Sequence, residues 1–260
     1  MRKFVDRAAR GPYLATVRGE MRQIVAFGGG GFSMEPGNTL LDDYVLSLTG
    51  KQRPRVCFLP TASGDADHYI VRFYRAFDAA RCEPSHISLF RREQSAGDMH
   101  EQLLESDLIY VGGGSVISLL GTWRAHGLDV TLRRAWERGV VLCGLSAGSL
   151  CWFAEAVTAF HGPAEPVEGL GFLPWSNCVH FDAEPERCRA YRDMLAAGMA
   201  EGYAVEDGAA LHFEGEQLTR IVTSRAGARA YRMRWTGDRI SRRSLPADYL
   251  GVAPAVVRAA

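Results

Sequence analysis

The chain has 260 residues, 47% hydrophobic and 23% charged, with 30 basic and 30 acidic side chains. That apolar content supports a buried core and excludes disorder as the main state. The zero net charge gives no chain-wide pull toward nucleic acid or an anionic membrane, and no stretch approaches the roughly 20 apolar residues that cross a bilayer.

Residues 1–20 are charged along their length and lack the apolar region of a secretory signal. They read as an extension outside the core, with Met21 an alternative start, and 21–260 as one catalytic domain. From residue 22 onward, strand-like and helix-like segments alternate. Short runs rich in Val, Ile, Leu and Phe predict strands at 22–28, 55–60, 85–89, 107–111 and 140–144. Apolar residues spaced three or four apart predict helices over 39–49, 66–81, 115–124 and 129–138. The alternation predicts an α/β fold, a mostly parallel sheet between helices, with its chemistry at the carboxyl ends of the strands.

The last third changes character. After a predicted helix near 185–198 come the short runs YAVED, AALHF, LTRIVT and ARAYRMRW, divided by glycine-containing turns. They predict an antiparallel extension of the same sheet, and residues 245–260 are weakly patterned. The six cysteines (57, 82, 143, 151, 178 and 188) form no CxxC pair and stand mostly in apolar settings. Reduced, buried thiols in a cytoplasm follow from that usage, and no Cys/His pair has zinc-ligand spacing.

The 28 glycines are clustered, and three clusters follow predicted strands: Gly28–Gly31, Gly112–Gly114 and Gly144-Leu-Ser146-Ala-Gly148. The third fits G-x-S-x-G where a buried strand turns into a helix, the setting of a nucleophile elbow. Its bland rival is a plain strand–helix turn with a serine N-cap. An oxyanion beside Ser146 would meet the Ala147 N–H. The neighbouring glycine turn would add a second donor from Gly113 or Gly114. Neither other cluster matches a P-loop or a dinucleotide fingerprint, so a nucleotide site is the weaker reading, and the Gly28–Gly31 turn lines the site with no assigned chemistry.

A serine nucleophile needs a base. Of seven histidines, His180 is singled out because it ends a strand-like run, SNCVHF, before a loop and helix; His161 is the runner-up. His68, His86, His100 and His126 read as surface or structural, and His212 as alternating within a strand. A carboxylate must then hold the imidazole tautomer. Glu206 and Asp207 both stand at a strand–turn boundary, and Asp182, near His180, is a candidate for the surrounding shell.

The stretch VGGGSVISLLGTWRAHGLDVTLRRAWERGVVLCGLSAGSLCWF, with GLGFLPWSNCVHFDAEPERCRAYR and YAVEDGAAL, resembles the peptidase E family of serine peptidases, over roughly residues 21–235. The resemblance implies a class I glutamine amidotransferase-like fold, a three-layer α/β/α sandwich, and a Ser-His-Glu triad of Ser146, His180 and Glu206, with Asp207 adjacent. Gly113, Gly114 and Ala147 would form the oxyanion hole. Two features depart from the family pattern. Ser115 stands where asparagine is common, and the loop after His180 is short, with Arg187, Arg189 and Arg192 close behind. Arg187, Arg189 and Ser115 are the candidates for substrate contact. The implied activity is hydrolysis of small peptides, Asp-X dipeptides among them, through an acyl-enzyme, without cofactor or metal. Nucleic acid and membrane are not expected partners, and a homodimer is the candidate assembly. The rival class is a binding or regulatory protein on the same fold without turnover.

Overall fold

The computed structural model describes residues 21–90 and 98–252; the expected extension 1–20 and the tail end 253–260 lie outside them. Strand β1 (Gln23–Phe27) runs into the first glycine turn and the short helix α1 (Gly31–Met34), followed by α2 (Leu40–Leu48). Next come β2 (Arg55–Leu59), a 3-10 turn at Thr61–Ser63, α3 (Asp67–Ala76) and β3 (Glu83–His86). They are followed by α4 (Met99–Glu105), β4 (Leu108–Val111), α5 (Val116–His126), α6 (Leu128–Glu137), β5 (Val141–Leu145) and α7 (Ala147–Leu150). Gly127, in the left-handed conformation, ends α5 and lets α6 start at once in a new direction.

The remaining elements are β6 (Phe153–Thr158), β7 (Glu165–Glu168), β8 (Leu173–Cys178), α8 (Pro185–Ala196) and β9 (Gly202–Val205). Strands β10 (Ala209–Glu214), β11 (Gln217–Thr223), β12 (Ala230–Trp235), β13 (Ile240–Leu245) and β14 (Asp248–Tyr249) complete the described chain.

The larger sheet has eight strands in the order β14-β11-β10-β1-β5-β4-β2-β3, parallel from β1 to β3. Its central strands are apolar on both faces because both faces are covered. Val25, Phe27, Phe58 and Tyr110 pack toward α1–α3 in an aromatic cluster with Phe32, Phe73 and Phe77. Ile24, Leu59, Ile109 and Leu142 face the other way, among Trp123, Trp136 and Trp152. This is the expected α/β arrangement.

The expected single sheet is corrected in one respect. Only β10, β11 and β14 extend the larger sheet; β9, β12 and β13 join β6–β8 in a second, six-stranded sheet ordered β13-β12-β9-β8-β6-β7. Strand β9 pairs parallel with β8 and antiparallel with β12, so its partners draw it out of the larger sheet. Helix α8 covers the second sheet through Tyr191 and Leu195, packed with Phe181, Tyr231 and Met233. The chain crosses from β9 to β10, and so between sheets, at residues 206–208.

Candidate active site

Ser146 follows β5 directly and is held at φ 53°, ψ −117°. Among the described non-glycine residues only Asp65, Ser146 and His180 have positive φ, a conformation costing on the order of 1–3 kcal/mol that packing must sustain. The flanking glycines explain how the turn is held. A side-chain carbon on Gly144 would come within 2.8 Å of the Val111 carbonyl, and one on Gly148 would overlap that same carbonyl. The elbow therefore presses against the end of β4 at a spacing only glycine permits. Ala147 opens α7, and its N–H is among the first-turn donors that a helix cannot bond internally.

His180 reaches the same place from the second sheet. It lies two residues past β8, and its N–H donates to the Gly28 carbonyl at 3.3 Å. Phe27 pairs with Leu145, so Gly28 and Ser146 are the next residues out on neighbouring parallel strands. His180 and Ser146 thus flank Gly28. The His180 carbonyl accepts the N–H groups of Ala183 and Glu184, and Pro185 then opens α8, which fixes the histidine's loop.

The carboxylate partner of His180 is Asp207: Nδ1 lies 2.6 Å from Oδ1, with both side chains largely buried. The turn that carries Asp207 sits on the first glycine cluster, where Gly208 N–H donates to the Gly29 carbonyl at 2.9 Å. A side chain at Gly29 would overlap Asp207 Oδ1 and come within 3.0 Å of His180 Cε1. The cluster to which the sequence assigned no chemistry is thus the seat of the histidine–carboxylate pair.

Glu206, the expected triad acid, is corrected by this geometry. Its carboxylate accepts from the Tyr231 hydroxyl at 2.7 Å and the Arg229 N–H at 2.9 Å, toward β12. Consecutive residues at a strand end point to opposite sides, so only one of the adjacent acids can face His180. Asp182 occupies the expected shell, accepting the Asp207 N–H at 2.8 Å. Gly113 is also corrected as an oxyanion donor: its α-carbon faces Ser146, but its N–H donates to the Tyr69 hydroxyl at 3.0 Å. Ser115 caps α5 by accepting the Ser118 N–H, and its hydroxyl lies 2.6 Å from His161 Nε2.

Neither candidate arginine turns toward the nucleophile. Arg187 is buried, paired with Glu184 at 3.0 Å, and donates to the Val179 carbonyl; Arg189 is exposed and lies 3.8 Å from Glu186 along the helix. The arginine that does bear on the site is one the sequence reading did not single out. Arg225 packs its stem over Gly208, and its guanidinium acts electrostatically on Asp207 and Asp182. Buried Glu35 holds it, with Oε1 accepting from Arg225 Nε at 2.5 Å and Oε2 from Ser224 Oγ at 2.6 Å. No local motif marks these residues, because 190 positions separate the partners.

The other histidines serve elsewhere. His86 bonds Tyr74, His100 bonds Thr131, and His212 is buried between Tyr44 and Gln23. Among the described residues no group of three or more His, Cys, Asp or Glu is placed to hold a metal, and no helix is long and apolar enough to cross a membrane.

The profile of peptidase family S51 matches residues 24–221, which spans the elbow, the His180 loop and the Asp207 turn. The chain belongs to that family. It is 50% identical over 232 residues to the uncharacterized peptidase YgaJ of Bacillus subtilis (strain 168), covering 89% of this chain and all of that one. It is 27% identical over 213 residues to peptidase E of Streptomyces coelicolor, covering 77% and 84% of the two chains. In fold it is similar to the crystal structure of a peptidase from an acI-B1 Actinobacterium, with a TM-score of 0.68, 18% identity and coverage of 88% and 96%. The S51 chain is thus a peptidase with a peptidase E-like fold. The resemblance read from GLSAGS and VHFD is the family that the match over residues 24–221 gives.

Proposed function

We propose that this S51 peptidase cleaves small peptides through an acyl-enzyme, with Ser146 as nucleophile, His180 as general base and Asp207 as the acid that orients it. The observation that carries the reading is convergence: a serine at strained positive φ and a histidine–aspartate pair, from different sheets, meet at Gly28. Asp207, bonded to Nδ1, keeps the proton there, so Nε2 is the nitrogen that takes the Ser146 proton on attack and returns it to the leaving amine. The Asp207 carboxylate stabilises the imidazolium formed in between. The oxyanion of the tetrahedral intermediate falls beside the elbow, where the Ala147 and Gly114 N–H groups are the donors we assign.

Asp-X dipeptides belong to the substrate panel as the narrower expectation, and with Arg187 and Arg189 engaged elsewhere, Arg225 is the arginine whose charge bears on Asp207. The six free thiols fit a reducing compartment, which we take to be the cytoplasm. The test is a dipeptide and ester panel with Ser146→Ala as control. Wild type should turn over at least one member and the variant should lose about 10³-fold or more in kcat. Undiminished turnover by Ser146→Ala overturns the assignment. A serine-directed fluorophosphonate that leaves Ser146 unlabelled in the folded protein would favour a binding role instead.

A further inference from the structure

We infer that Tyr69 is a positioning residue that decides which glycine N–H faces the nucleophile: its hydroxyl holds the Gly113 amide and leaves Gly114 as the second oxyanion donor. The inference rests on the hydrolase reading above and goes beyond it to a residue on α3 outside every motif.

The loop after β4 carries four N–H groups past Val111, and three of them have partners within the fold. Gly112 donates to the Leu59 carbonyl at 3.1 Å, which continues the sheet ladder. Gly113 donates to Tyr69 at 3.0 Å, and Ser115 donates to the Ala62 carbonyl at 2.8 Å. The Gly114 N–H lies between two amides that are each tied to structure behind the loop. It is also attached to the glycine whose α-carbon faces Ser146: a Cβ on Gly113 would be 3.4 Å from the serine Cβ.

The peptide unit is held in this orientation from three sides. Gly114 adopts φ 138°, open to glycine and strained for any other residue, with the Ala62 carbonyl against its α-carbon. The Tyr69 ring lies 2.9 Å from where a Gly112 side chain would begin. The ring is itself locked among Phe32 and Phe58, with centroid separations of 5.5 and 5.2 Å. Burial also pushes the phenol above its ordinary pKa, so the hydroxyl stays protonated. Ser33, on the helix that leaves the first glycine cluster, lies beside that hydroxyl.

Preorganised donors matter because they need no reorganisation when charge develops. Without the tyrosine oxygen, the Gly112–Gly113 peptide has no fixed partner, and the Gly114 amide loses its defined direction. A loop that is loosened but still present affects the transition state more than ground-state binding.

The test is Tyr69→Phe in the full chain, which keeps the ring and removes the acceptor. It is measured with a substrate that wild type cleaves in a Ser146-dependent manner, and with a peptide boronate that mimics the tetrahedral intermediate. The expected result is a fall in kcat of about 10- to 100-fold with KM within about twofold, and a parallel loss of boronate affinity. Unchanged kcat, or a rise in KM alone, overturns the inference. If the Phe variant fails to fold, 3-fluorotyrosine at position 69 keeps the hydroxyl and weakens the acceptor, and an unchanged kcat there overturns it equally. Wild type without Ser146-dependent turnover would overturn the hydrolase reading and this inference together; active wild type with an equally active Tyr69→Phe overturns this inference alone.

Discussion

Two histidines in this protein each meet an oxygen at hydrogen-bond distance, one past the ends of the strands and one inside the larger sheet. His180 meets Asp207 at 2.6 Å beyond the carboxyl ends of the parallel strands, and His212 meets Tyr44 at 2.7 Å within β10. The second nitrogen of His212 is also occupied, by Gln23 Oε1 at 3.1 Å, and burial with the nearby Arg220 charge lowers its pKa to about 4. A neutral imidazole with both nitrogens engaged is a structural part. His180 has one nitrogen committed to a carboxylate, a loop position, and Ser146 across Gly28. Partner chemistry and position at the strand end, rather than proximity to an oxygen, set the proposed base apart.

The sharpest break of this comparison is at the acids. Asp207→Asn should lower kcat by about 10³- to 10⁴-fold, because an amide can stabilise the wrong histidine tautomer. Glu206→Gln should leave kcat within about fivefold, since Glu206 serves Tyr231 and Arg229. Steady-state kinetics on the pair checks both, and the reverse ranking would restore Glu206 as the triad acid.

A smaller effect comes from the seat of the pair. Gly29→Ala places a carbon into Asp207 Oδ1 and should cost about 10²-fold in kcat, because misplacing a catalytic group by about 1 Å has that effect. Its melting temperature and kcat, measured together, would separate displacement of the pair from loss of fold.

At the other histidine the expectation inverts. His212→Gln should leave kcat within about twofold and cost roughly 1–3 kcal/mol in denaturant unfolding, by disturbing the buried Tyr44 contact. The pH dependence is the finest test. With the folded pKa of His212 near 4 and an unfolded value near 6.5, the unfolded chain binds the extra proton between those limits. This contribution is therefore complete above about pH 6.5 and is lost as pH falls toward 4, on the order of 3 kcal/mol in all. The stability difference between wild type and His212→Gln should shrink across that window; a difference that stays constant with pH would refute the depressed pKa.

Much of the site was legible locally. G-x-S-x-G after a buried strand identified Ser146 because the elbow needs small neighbours on both sides. A histidine just past an apolar run singled out His180, which the structure pairs with Asp207. The adjacent acids were where legibility stopped: a one-residue choice between Glu206 and Asp207 is a choice of strand face, and face depends on which partners β9 takes. Tyr69 was hidden for a related reason. Its apolar spacing on α3 is what any core-facing tyrosine shows, and only the approach of the second glycine turn makes its hydroxyl matter.

The alternating parallel architecture, the strand–helix elbow and the candidate histidine could be read from the residues alone, because periodicity and turn chemistry are encoded within a few positions. The second sheet, the pairing of His180 with Asp207 rather than Glu206, the engagement of Gly113 by Tyr69 and the Glu35–Arg225 pair emerge only in three dimensions. Each of those depends on contacts between residues far apart in the chain, where direction in space, rather than order along the backbone, sets which atoms meet.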